Sequence, residues 1–197
     1  MKTNRLEAFS DGVFAIIITI MVLELKVPHD PGINALRPLL PIFLTYLLSF
    51  IYLGIYWNNH HHLLNVCRQV SGGIMWANLH LLFWLSLFPF VTGWMGQNYA
   101  SPARTFISIP SALYGGVLLM AALAYYILQT VIIRLHGRES KLARAIGSDL
   151  KGKLSPLLYA IAIGISFFQP WIAGCIYIGV ALMWLIPDRR VESVLSR

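Results

Sequence analysis

Three groups able to do chemistry open the first apolar run of this chain. Arg5, Ser10 and Asp11 stand in Arg5-Leu6-Glu7-Ala8-Phe9-Ser10-Asp11-Gly12, immediately before the run Val13 to Leu23. A guanidinium, a hydroxyl and a carboxylate at the mouth of a membrane-grade segment are expensive, so partners and a purpose are expected. Ser10 and Asp11 are neighbours in sequence and point to different helical faces, so they do not make a nucleophile and its base. The groups available to answer them are Trp57, Asn58, Asn59, His60, His61 and His62 on the second apolar run, and Trp76, Asn78 and His80 on the third. Trp57 and Trp76 also fit a plain interfacial aromatic belt.

The same first run carries a second pattern. At helical spacing Gly12, Ile16, Thr19 and Leu23 follow one another at i, i+4, i+7 and i+11 along one face, bordered by Ile20. Branched apolar groups at Ile16 and Leu23 can pinch a narrow conduit that gates by dewetting. Thr19 offers a hydroxyl between them, and Gly12 widens an inner mouth. Glu24 is a candidate for an outer vestibule, where a ring of carboxylates attracts cations. Taken alone, the stripe also fits a lipid-facing or core stripe, and Glu24 fits an interfacial snorkelling carboxylate.

Enzymatic and metal chemistry find little support. Three consecutive histidines on a helix point about 100° apart and cannot all ligate one ion. No HExxH, CxxC, GxSxG, Walker A or GxGxxG motif accompanies them. Cys67 and Cys175 are too far apart in depth to pair. The expectation is therefore no catalytic residue, no metal and no cofactor.

These residues need elements to hold them, and composition says which. The chain has 197 residues, is 57% hydrophobic and 12% charged, and has a mean hydropathy of +0.67. A soluble domain carries about 25% charged residues. The reading is an all-α integral membrane protein, a single domain over 1–197 with six spans of about 20 residues. They fall at about 6–27, 39–61, 74–95, 104–133, 155–169 and 171–186. The last two hinge at Gln169-Pro170 and are short, which implies tilt or local thinning. Although Lys2 and Arg5 precede an apolar run, Asp11 interrupts it and no small-x-small site follows, so it reads as a retained span.

The formal charge of +7 reads as topogenic and not as a nucleic-acid footprint, because the basic residues sit between apolar runs without an aromatic-interleaved face. With the N-terminus inside, only Lys26, Arg37 and Arg104 fall outside, so both termini are expected in the cytoplasm. The polar stretch 134–153 faces anionic lipid, either as a helix around Glu139–Ile146 or as a charged loop.

The first-run residues Arg5-x-x-x-Phe9-Ser10-Asp11, followed by Ala15-Ile16, Ile18-Thr19 and Leu23, resemble the RxxxFSD signature of the transmembrane protein 175 potassium channels. Tyr56-Trp57-x-x-His60-His61, Asn78-Leu79-x-Leu81-Leu82-Phe83 and Leu87-Phe88-Pro89-Phe90 continue the likeness, which covers about 6–95 with specific motifs. Animal members of that family hold two six-helix repeats per chain. One repeat here is similar to the prokaryotic members, and the resemblance implies a homotetramer in the cell membrane that passes K+.

It further implies that the first helix lines the pore and that there is no TVGYG filter. Ile16 takes the place of the constriction residue, with Thr19 and Leu23 at the next levels. Arg5, Phe9, Ser10 and Asp11 match the structural network at the inner end. A proton-permeable pathway or secondary cation transporter is the alternative, prompted by the six histidines near Asp11. A purely structural membrane protein is the other.

Overall fold

The computed structural model describes residues 3–28, 31–65, 67, 69–100, 108–136 and 150–185. Their regular structure is helical throughout. Helix α1 is Thr3–Leu23; a 3₁₀ turn, Ile33–Leu39, runs into α2, Leu40–Asn65. Then come α3, Gly72–Ser86, α4, Phe88–Ala100, and α5, Ser108–His136. Helices α6, Leu150–Ser166, and α7, Pro170–Leu185, form a hairpin. The helix considered around 139–146 lies outside the described residues.

Local chemistry explains most boundaries. Ser71 caps α3, its Oγ accepting from Ile74 N at 3.3 Å, which satisfies one of the free amides of the first turn. Pro170 starts α7, where its missing N–H would be unpaired anyway. The third apolar run, expected as one span over 74–95, is two helices that break at Leu87. Pro89 is the reason: it cannot donate to Leu85 O and its ring crowds that carbonyl. Leu87 N turns instead to Trp84 O at 3.3 Å.

Among the described residues four stretches are long and apolar enough to cross a membrane: Thr3–Leu23, Ile33–Asn65, Gly72–Ala100 and Ser108–Leu135. Helices α6 and α7, at 17 and 16 residues, reach only about 25 Å at 1.5 Å per residue.

Helix α5 is the hub, packed on α3, α4, α6 and α7. Its inward face is Leu118, Ala121, Ala124, Leu128 and Ile132, all fully buried. Small residues let backbones approach where lipid supplies no hydrophobic drive between helices. Gly115 shows the need most sharply, since a Cβ there would collide with the Tyr177 hydroxyl, the ring carbon that bears it and Ile163. Tyr177 in turn donates to Ser111 O at 3.0 Å and accepts Tyr52 Oη on its own carbonyl at 2.6 Å. These bonds tie α2, α5 and α7 together inside the apolar core.

Helix α1 packs on α2, α3 and α4. Thr3 Oγ1 donates to Cys67 O at 2.9 Å, and Gly73 lies against Val131. The start of α1, the α2–α3 turn, the end of α5 and the start of α6 therefore share one end of the bundle. Arg5, Arg134, Lys151 and Lys153 all belong to that end.

Candidate functional site

The two faces of α1 have opposite fates. Leu6, Ser10, Phe14, Ile17 and Met21 are buried in the bundle. At 100° per residue the stripe Gly12, Ile16, Thr19 and Leu23 lies diametrically opposite, and all four are exposed, Ile16 at 60% and Leu23 at 75%. Ile20, on the border, is 45% exposed. Thr19 Oγ1 donates to Ala15 O at 2.8 Å, so its proton is used within the helix and an oxygen lone pair faces out. A Cβ on Gly12 would meet nothing within 4 Å. From Gly12 to Leu23 this free face carries no charge over about 16 Å. Glu24, also exposed, stands at its far end beside Gly93 of α4.

Behind that face a polar cluster fixes α1 to its neighbours. Ser10 Oγ donates to Leu6 O at 2.9 Å and accepts from Asn78 Nδ2 at 3.0 Å. Asn78 Oδ1 is 2.6 Å from His60 Nε2. With the Asn78 amide nitrogen spent on Ser10, its oxygen must accept, so His60 Nε2 carries the proton. Ser10, Asn78 and His60 are each wholly buried, and Phe14 meets the His60 ring edge-on at 5.8 Å. His60 Nδ1 has no partner among the described residues.

A second, half-exposed ladder flanks the first. Trp57 Nε1 donates to Asp11 Oδ1 at 3.0 Å, and His61 Nδ1 meets Glu7 Oε1 at 2.7 Å. Asn65 Nδ2 contacts His61 Nε2 at 2.9 Å, and Trp57 stacks on His61. Glu7 and Asp11 are four apart, as are Trp57 and His61. On antiparallel helices this makes two rungs of one ladder.

The structure thus gathers Ser10, Asp11, Trp57, His60, His61 and Asn78. It leaves out others. Arg5 and Asn58 are exposed without a partner among the described residues. Phe9 is 54% and Trp76 74% exposed. His80 accepts from Trp84 Nε1 at 3.0 Å, one turn along its own helix. Arg5 therefore does not join the network among the described residues. Glu7 was missed, although its spacing to Asp11 matches that of His61 to Trp57. So was the hydroxyl group of Ser49, Thr92 and Tyr114, which sits behind Met21: Ser49 Oγ lies 2.7 Å from Thr92 and 3.0 Å from Tyr114. Its members come from three helices, and no sequence spacing links them.

Long apolar helices and a first helix turned half outward define an all-α, multi-pass membrane protein. The family model for the endosomal/lysosomal potassium channel TMEM175 matches residues 5–89, from Arg5 to the proline that breaks the third run, and so includes both ladders. A potassium channel of Chryseobacterium sp. (strain P1-3) is 56% identical over 196 residues, covering 100% of this chain and 99% of that one. A potassium channel of Streptomyces collinus is 30% identical, over 84% and 83% of the two chains. The crystal structure of a lysosomal potassium-selective channel TMEM175 homolog from Chamaesiphon minutus superposes with a TM-score of 0.80 at 27% identity, covering 93% of this chain and 96% of that one. The chain belongs to the TMEM175 family, in its single-repeat form. That is a family of ion channels and not of enzymes.

Proposed function

We propose that this protein is a potassium channel of the cell membrane, one domain over its whole length, in which α1 of four copies surrounds the conduction path. The observation that carries the reading is the free stripe of α1: it stays uncovered after every other described helix has packed, and it is apolar where a gate needs to be. Relatives matched over 99% and 83% of their length bear the name potassium channel. In this reading Ile16 forms the narrowest ring. Four branched side chains leave a dry pore, and opening widens or rotates the ring. Thr19 gives a ring of hydroxyl oxygens, Leu23 a second apolar ring, Gly12 the inner mouth and Glu24 the outer one, with Ile20 at the flank. Selectivity follows from dehydration, because K+ sheds water at lower cost than Na+. No TVGYG loop is needed.

The excess of basic residues at the end holding Arg5, Arg134, Lys151 and Lys153 orients the bundle with both termini in the cytoplasm. The polar cluster acts as the fixed side of α1 and sets its rotation.

The test is potassium flux in proteoliposomes under a K+ gradient, with Na+-filled controls and with Ile16→Ala and Ile16→Asn. Flux that favours K+ and changes with Ile16 is expected. Unchanged conductance and selectivity in both variants would remove the ring from the mechanism. Proton permeation is a second reading, favoured by animal relatives named endosomal/lysosomal proton channels, including one from Danio rerio that is 40% identical over 76 residues but matched over only 14% of its length. A pH-sensitive dye in the same liposomes separates the two. A reversal potential that moves with two substrates would point to a coupled transporter.

A further inference from the structure

A cavity of about 420 Å³ opens between α2, α5, α6 and α7 at the basic end of the bundle, and no residue of α1 lines it. Its size falls in the usual range for small-molecule sites, about 300–1,000 Å³. The wall is largely aromatic, from Tyr56, Tyr126, Tyr159 and Trp184. Trp184 Nε1 donates to Ser155 Oγ at 2.8 Å, and Ser155 donates on to Lys151 O at 2.8 Å, so this wall is held in place across α6 and α7.

Two features give the cavity chemistry. Gln129 is only 6% exposed and lines it, yet its side-chain amide bonds to none of the described residues. The amide is not sealed within the packing but opens onto the cavity, so it is available to an occupant. Arg134, near the end of α5, and Lys153, in the first turn of α6, also line the cavity, and among the described residues no carboxylate does. Two cations over an aromatic chamber, with no described carboxylate in its wall, select an anion with an organic body and not a small hydrated ion. With the basic end in the cytoplasm, as proposed above, the opening lies in the leaflet where acidic headgroups concentrate, and basic pockets between transmembrane helices on that side recognise such headgroups.

We propose that this cavity binds the headgroup of an acidic phospholipid, with Arg134 and Lys153 on the phosphate and the Gln129 amide on the polar part beneath it. The site stands independently of the conduction reading. It is tested by native mass spectrometry of the delipidated full chain in detergent, titrated with phosphatidylglycerol or phosphatidylcholine.

Phosphatidylglycerol is expected to stay bound and phosphatidylcholine to be lost. The double variant Arg134→Gln/Lys153→Gln is expected to weaken phosphatidylglycerol by about tenfold or more, since two headgroup contacts go. Ala122→Phe, which fills the chamber and keeps both cations, is expected to weaken it similarly, and Gln129→Leu more mildly. Retention of phosphatidylglycerol by a folded double variant would overturn the proposal. Retention by a folded Ala122→Phe variant would also overturn it, because the cations would then attract lipid from the surface alone. Displacement of the lipid by millimolar inorganic phosphate would overturn the lipid assignment in favour of a free anion.

Discussion

The Asn78 amide is the joint between α1, α2 and α3, and removing it should have a calculable effect. Asn78→Leu keeps the side chain's approximate volume but deletes both hydrogen bonds. Ser10 keeps its own bond to Leu6 O at 2.9 Å, so its proton remains satisfied. His60 does not: its Nε2, now 2.6 Å from Asn78 Oδ1, would carry a proton with no acceptor, and its Nδ1 already has no partner among the described residues. An unmade bond at a buried donor costs about 1–3 kcal/mol. Interhelical hydrogen bonds inside membranes average nearer 0.6 kcal/mol. His60 and Asn78 are wholly buried, so the upper range applies and a loss of about 2 kcal/mol is expected.

The diagnostic partner is the double variant His60→Phe/Asn78→Leu. It removes donor and acceptor together and leaves an aromatic ring against Phe14. Replacing both partners of a buried pair by apolar groups is nearly neutral, so the double variant should recover most of what Asn78→Leu lost. Thermal unfolding in detergent, followed by the fraction eluting as intact protein, reads all three variants. A single variant that loses less than about 0.5 kcal/mol would refute the reasoning. A double variant no more stable than Asn78→Leu would refute it equally, because the deficit would then come from packing and not from an orphaned proton.

Other consequences can be checked alongside. Gly115→Val should destabilise by about 1–3 kcal/mol through overpacking against Tyr177, and Gly115→Val/Tyr177→Phe should not recover it fully, since the ring itself is in the way; thermal unfolding reads both. Glu7→Gln and Asp11→Asn should each lower stability by under about 1 kcal/mol, because His61 and Trp57 are half exposed and such pairs are weak; a much larger loss in thermal unfolding would place these carboxylates in a drier setting than the ladder shows. Burial pushes the Cys67 thiol up. The folded chain holds that proton more tightly than the unfolded one, so the contribution is full below the ordinary thiol pKa and is lost as pH rises through the raised one. Maleimide labelling of Cys67 should therefore stay slow at neutral pH and accelerate only in alkali, and Cys67→Ala should flatten the alkaline loss of stability. Fast neutral labelling of Cys67 in folded protein would contradict this.

Much of the site was legible because helical periodicity is a local property. A stripe at Gly12, Ile16, Thr19 and Leu23 follows from 3.6 residues per turn once the segment is helical, and the apolar composition made it helical. The ladder of Glu7 and Asp11 against Trp57 and His61 was equally available from its four-residue spacing, though only Asp11, Trp57 and His61 stood out in advance. Pro89 was visible too, and the break it imposes at Leu87 follows from a missing N–H and a crowded carbonyl. Other features had no local signal. Ser49 reaches Thr92 and Tyr114, 43 and 65 residues away, and Tyr52 donates to a carbonyl 125 residues away. Inside an apolar run a tyrosine or serine reads alike whether it meets lipid or a partner.

What the sequence by itself determined is the class of the molecule: its apolar excess requires membrane helices, because only helices or closed barrels satisfy the backbone in lipid, and its first ninety residues carry the family's motifs. What only the tertiary structure decided is which face of each helix is spent on the bundle. The buried and free stripes of α1 are both apolar, so hydropathy cannot tell them apart. Contact with α2, α3 and α4 does, by covering Ser10, Phe14 and Ile17 and leaving Ile16 and Leu23 open. Arg5 shows the same limit from the other side: its charge called for a partner, and the fold turned it away from every described group in its own chain.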